Sequence, residues 1–248
     1  MLKAQTQMLA SVMSLEEAAI VLRAGVEIVD LKNPAAGALG ALPHQLIEDV
    51  VQLVDGRAVV SATIGDLPME AALIVIETKA MLATGVDVIK IGFFGELGHE
   101  VCIQALSELT KSGAKLIAVL LADITFDLSL LNKLAAAGFY GVMLDTAQKD
   151  GRHLLNYCTL SELADFVSKA HSLGLRSGLA GSLSKEHVDA LLSIKPSYLG
   201  FRGALCEQSK RTATLNGNRV QELVRMLHCN DAKEVALSFV NQTSCALI

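Results

Sequence analysis

Lys90 stands inside the apolar run Val88-Ile89-Lys90-Ile91-Gly92, an unusual place for an ammonium group. Lys32 closes Asp30-Leu31-Lys32, and Asp145 closes another apolar run, Gly141–Asp145. Taking such ions out of water costs several kcal/mol each unless they meet partners, roughly the scale of a whole domain's stability. A free lysine has a pKa near 10.4, so at neutral pH only about one molecule in a few thousand is the neutral amine. Burial and a neighbouring cation both favour the neutral form, and a shift of ~3 units costs about 4 kcal/mol. A neutral amine attacks a carbonyl to form a Schiff base, whose iminium is an electron sink. A second lysine then removes the loosened proton, with carboxylates to relay protons and offset charge. Lys32, Lys90, Asp30 and Asp145 are the expected catalytic set.

Such residues need a scaffold that gathers strand ends. Short apolar runs alternate with longer helical patterns eight times along the 248 residues. The runs are Met8–Val12, Ile28–Lys32, Ala58–Ile64, Val86–Ile91, Leu116–Ala122, Gly141–Asp145, Leu175–Ala180 and Tyr198–Arg202. Between them, Leu15–Ala24, Leu46–Val54, Ala71–Ala83 and Leu160–Leu173 repeat apolar residues three and four apart, as helices do. Ser14 with Glu17, and Thr159 with Glu162, have capping-box spacing, and Pro43 suits a first helical position. Gly25, Gly85, Gly138 and Gly174 stand where helices should end. Ala24–Lys32 and Thr84–Gly92 repeat one pattern, from helix end through Gly-Val-acid into a strand that carries a charge. Eight βα units in one domain predict a (β/α)₈ TIM barrel over residues 1–228, with an open doubly wound sheet as the rival. Residues 229–248 read as a tail of undecided structure.

In a barrel the chemistry sits at the carboxyl ends of the strands, and the loops after strands seven and eight form the usual phosphate site. Here those loops carry Gly181-Ser182 and Arg202-Gly203, and glycine lets backbone N–H groups approach an anion. Ser61, Thr63, Asp123, Gly181, Ser182, Arg202 and Gly203 are the expected substrate and phosphate contacts. The net charge of −5, with both signs mixed along the chain, leaves no footprint for nucleic acid. No run reaches the ~18 apolar residues needed to span a membrane. Glu16 and Glu17 directly follow the first short apolar run, which argues against a signal peptide. Five widely spaced cysteines without a CxxC point to free thiols in a reducing cytoplasm, and six scattered histidines suggest no metal site. Neither a dinucleotide fingerprint, nor a P-loop, nor a serine-nucleophile elbow is present. The expected partners are a small sugar phosphate and further copies of the chain, without a cofactor.

Several strings are specific. DLKNP-x₂-G-x-LG (Asp30–Gly40), SATIGD (Ser61–Asp66), IKIG-x₂-G (Ile89–Gly95), MLDTA-x-KDG (Met143–Gly151), LAGS (Leu179–Ser182) and FRGALC (Phe201–Cys206) resemble the (5-formylfuran-3-yl)methyl phosphate synthase family. The resemblance runs in order over roughly residues 8 to 228. It implies a lyase that condenses two molecules of glyceraldehyde 3-phosphate, with loss of phosphate and water, on the way to methanofuran. It also implies Lys32 as the Schiff-base lysine and Lys90 as proton acceptor, with Asp30, Asp145 and Lys149 in support. From the residues alone, a class I aldolase of the deoxyribose-phosphate type remains the alternative. A barrel family with an Asp-x-Lys-x-x-Asp array fits less well, because Ala35 occupies the last position.

Overall fold

The computed structural model describes residues 5–95, 97–124, 127–148 and 150–228. Its eight strands are β1 (Gln7–Val12), β2 (Ile28–Leu31), β3 (Val59–Thr63), β4 (Val88–Gly92), β5 (Leu116–Leu121), β6 (Gly141–Asp145), β7 (Arg176–Leu179) and β8 (Tyr198–Phe201). Each pairs in parallel with the next, and β8 returns to β1, with Leu9 opposite Gly200. The sheet is a closed barrel without edges, which excludes the open doubly wound alternative. Helices α1 (Leu15–Arg23), α2 (His44–Val54), α3 (Ala71–Ala83), α4 (His99–Lys111), α5 (Leu130–Ala136), α6 (Leu160–Ser172) and α7 (Val188–Ser193) follow the strands in turn. An eighth, α8, covers 217–228 of the described residues. None of the described helices is long and apolar enough to cross a membrane.

Successive strand residues point to opposite faces, so the barrel sorts its apolar side chains into two cores. Met8, Ala10, Val12, Val29, Leu31, Ile89 and Ile91 face outward and pack under the helices. Leu9, Ile28, Val88, Ile117, Val119, Met143 and Tyr198 fill the interior. At Gly178 an added Cβ would lie 2.3 Å from the Tyr198 ring, so this glycine makes room for the largest interior side chain. Above that layer the inward positions turn polar: Ser11, Asp30, Ser61, Lys90 and Asp145 are all buried.

Local signals mostly behave as the sequence predicts. Gly25, Gly85, Gly138 and Gly174 all have left-handed φ, between 75° and 84°, and turn the chain from helix to strand. Thr159 and Glu162 form a reciprocal capping box at α6. At α1 only half of that box exists: Ser14 Oγ accepts from the Glu17 N–H, while the Glu17 carboxylate turns instead to Met13 N and Arg202. Pro43 is the N-cap of α2, one position before the expected one, and His44 opens the helix. Lys32, Ala122 and Ala180 lie just past their strands, yet their N–H groups still donate to Val12, Asp145 and Leu144. The tail from 229 onward lies outside the described residues.

Candidate active site

The polar layer is built on one carboxylate. Ser11, Asp30 and Ser61 are register partners across β1, β2 and β3, and Thr63 lies opposite Lys90. Asp30 accepts hydrogen bonds from Ser11 Oγ (2.8 Å) and Ser61 Oγ (2.7 Å), and Lys90 Nζ lies 2.6 Å from its Oδ1. Burial alone would push the Asp30 carboxyl up. The nearby cations Lys90 and Lys32, with the bonds from Lys90 and Ser61, outweigh it and hold Asp30 below the usual carboxylate range. Lys90 is 1% exposed, and burial, the larger influence, pulls it below the usual amine range. Asp30 opposes that change, while the Lys32 cation adds to it.

Lys32 Nζ stands 3.7 Å from Asp145 Oδ2, an ion pair too long for a direct hydrogen bond. Asp145 Oδ1 accepts from the Thr146 N–H at 2.7 Å. The Lys32 side chain retains 12% exposure, enough for a ligand to reach it. Lys32, Lys90, Asp30 and Asp145 all line one cavity of about 510 Å³ at the carboxyl end of the barrel. A groove of similar size beside β4 and β5, about 580 Å³, contains neither Lys32 nor Lys90. Chemistry, not volume, marks the site. Lys149 lies outside the described residues.

The expected substrate contacts divide into two groups. Gly181, Ser182 and Gly203 line the same cavity as the lysines, at the ends of β7 and β8. Gly181 has φ 108°, and a Cβ there would lie 2.8 Å from Thr146 Cγ2. Ser182 also adopts a left-handed φ, 50°, so the turn is strained for a side-chain-bearing residue. Ser61 holds Asp30 from the neighbouring strand, and Thr63, Asp123 and Arg202 are each engaged by other parts of the chain. Thr63 Oγ1 donates to the Gly40 carbonyl at 3.0 Å. Asp123 accepts from the N–H groups of Ala147 and Gln148, at 2.8 and 2.7 Å. Asp66 does the same for Ala38 and Leu39, and Gly37 is required there because a Cβ would fall 1.9 Å from Asp66 Oδ2. These polar side chains fix the loops that carry Lys32 and follow Asp145.

Arg202 is the most heavily engaged of them. Its guanidinium touches the cavity but is engaged on every side. Nη1 and Nη2 form a two-pronged pair with the buried carboxylate of Glu17, the second prong at 3.1 Å. Nη1 also donates to the Ser11 carbonyl, Nε to that of Arg211 and Nη2 to that of Ala213. A cation with that many acceptors is a clamp. Sequence reasoning passed over Ser11, Lys210 and Arg211, and read Glu17 only as a helix cap. Ser11 could have been found as the inward position level with Asp30, but Lys210 and Arg211 resemble ordinary surface charges until the loop folds over the cavity.

A family model described as 4-HFC-P synthase matches residues 8–224. The chain belongs to the (5-formylfuran-3-yl)methyl phosphate synthase family. It is 33% identical to the synthase of that name from Methanothermobacter thermautotrophicus over 231 residues, which cover 89% of this chain and 98% of the relative. A Methylorubrum extorquens protein, provisionally given the same name, is 40% identical over 94% of this chain and 96% of its own. Among solved structures, 3-hexulose-6-phosphate synthase from Salmonella typhimurium superposes with a TM-score of 0.61 at 15% identity, covering 90% of this chain and 100% of that one. That likeness speaks for the barrel alone. Membership in a family of synthases makes the chain an enzyme.

Proposed function

We propose that the chain condenses two molecules of glyceraldehyde 3-phosphate into (5-formylfuran-3-yl)methyl phosphate, releasing one phosphate and two waters, through a Schiff base on Lys32. The observation that carries this reading is that Lys32 and Lys90, each beside its own carboxylate, open into one cavity. Lys32 Nζ adds to the C1 aldehyde of the first triose and expels water, giving an iminium. Neutral Lys90 takes the C2 proton, and the released electron pair expels phosphate from C3. The resulting enol is nucleophilic at C3. A ring with its phosphomethyl group at position 3 requires the new bond at C2 of the second triose, which therefore reacts as its 2-ketone isomer. Ring closure through the second triose's C1 hydroxyl, two dehydrations and hydrolysis from Lys32 complete the product. Methanofuran synthesis is the pathway this product fits.

Borohydride reduction in the presence of glyceraldehyde 3-phosphate, followed by peptide mass spectrometry, tests the reading. The adduct should sit on Lys32, and Lys32→Ala should lose both the adduct and, by at least about 10⁴-fold, the turnover. An adduct on Lys90 would reverse the two roles. Full turnover by Lys32→Ala would reject the mechanism.

A further inference from the structure

The charges around the cavity do not balance. Among the described residues that line it, Lys90 pairs with Asp30, Lys32 with Asp145, and Arg202 with Glu17 just behind the wall. Two more cations remain, Lys210 and Arg211, and neither has a carboxylate within ion-pair distance among the described residues. Two uncompensated positive charges match a phosphate dianion.

The segment that presents them is built with care. Gln208 and Ser209 are consecutive non-glycine residues in the left-handed region, with φ 53° and 57°. Such backbone persists only where its surroundings over-determine it. Here Glu207 N donates to the Thr214 carbonyl, Asn216 Nδ2 donates to Glu207 Oε1 at 2.6 Å, and Arg219 Nη1 donates to Ser209 Oγ. The Arg202 guanidinium holds the carbonyls of Arg211 and Ala213 from inside. The clamp thus ties the first helix, through Glu17, to the loop bearing the free cations.

We propose that Lys210 and Arg211 bind the phosphate of the substrate opposite the backbone of Gly181–Ser184, and that the Glu17–Arg202 pair acts as a positioning element for them; this rests on the reading that the cavity takes a phosphorylated triose. A guanidinium and an ammonium together supply a planar fork and a point charge to one anion.

Calorimetric titration of the full chain with inorganic phosphate tests this without any chemistry at Lys32. The double variant Lys210→Gln/Arg211→Gln should bind phosphate at least about tenfold more weakly, since each charged hydrogen bond is worth that much or more. The dependence of binding on salt should flatten at the same time. Arg202→Lys keeps a charge but not the fork, and should weaken phosphate and raise KM more than it lowers kcat. If that variant fails to fold, the double variant, changed only at residues outside the core, still decides. Phosphate binding equal to wild type in the double variant would overturn the proposal. Weakened phosphate binding in a protein that never forms a borohydride-trapped adduct would support it while rejecting the Schiff base.

Discussion

Asp30–Lys90 and Glu17–Arg202 are both buried ion pairs near the carboxyl end of the same barrel, yet one uses a lysine and the other an arginine. The difference follows from what each cation can give up. Arginine keeps its proton throughout the physiological range and offers five donors in a rigid fork. Arg202 spends those donors on Glu17, Ser11, Arg211 and Ala213, joining parts of the chain up to 191 residues apart. Lysine is a point charge that burial can neutralise. Lys90 has Asp30 as its bonded partner, and the Asp30 oxygens are shared with Ser11 and Ser61. Where geometry must be kept the protein has placed a guanidinium, and where the proposed mechanism moves a proton it has placed an amine.

Exchanging the cation types is the severest test of that contrast. Lys90→Arg preserves the charge beside Asp30 but removes any neutral form. Turnover should fall on the order of 10⁴-fold, the upper range for loss of a positioned base, while circular dichroism stays that of the wild type. Furan formation in single-turnover experiments reads the effect. Retention of a tenth of the wild-type rate would mean that Lys90 serves as a fixed charge and that the contrast is false.

The other pair should fail in stability before chemistry. Glu17→Gln leaves the Arg202 cation buried without its counter-charge, and breaking such a pair costs about 3–5 kcal/mol. Urea unfolding should show the loss as a lower midpoint at unchanged slope. A change below about 1 kcal/mol, the value of an exposed pair, would show that water reaches the clamp.

Much of this was legible in the sequence, for identifiable reasons. Some strand ends were readable because their apolar runs stop at a charge, as at Lys32, Asp145 and Arg202, and Lys90 stood out because nothing apolar around it could solvate an ammonium. Gly25 and Gly174 were readable because the helix-to-strand turn needs a left-handed residue. The clamp was not readable, because Glu17 and Arg202 meet only when β8 closes against β1. Glu17 had a satisfactory local reading in the capping box, which tertiary pairing overrode. Thr63 and Asp123 have the right types at the right strand ends, but type and spacing cannot separate a side chain that binds a loop from one that binds substrate. The loop contacts themselves became visible only with the distances to Gly40, Ala147 and Gln148.

The subtlest expected effect is a displaced pH profile. If Lys90 acts as a base it must be neutral, so activity rises with pH along a limb set by its pKa, below the usual ~10.4 because of burial. Asp30 is the main influence holding that value up. Asp30→Asn removes it, and the limb should move to lower pH even though the plateau drops as the amine loses its anchor. A Lys90 acting as a protonated acid would give the opposite slope, with activity falling as pH rises. The same substitution has a signature in stability. The Asp30 carboxyl is held below its unfolded value, so its contribution is complete above a pH of about 4 and fades as pH falls through the lower folded value. Acid unfolding of Asp30→Asn should therefore be less steep than that of the wild type. A limb that stays in place, with equal steepness in acid, would show that Asp30 only fills space beneath the amine and does not tune it.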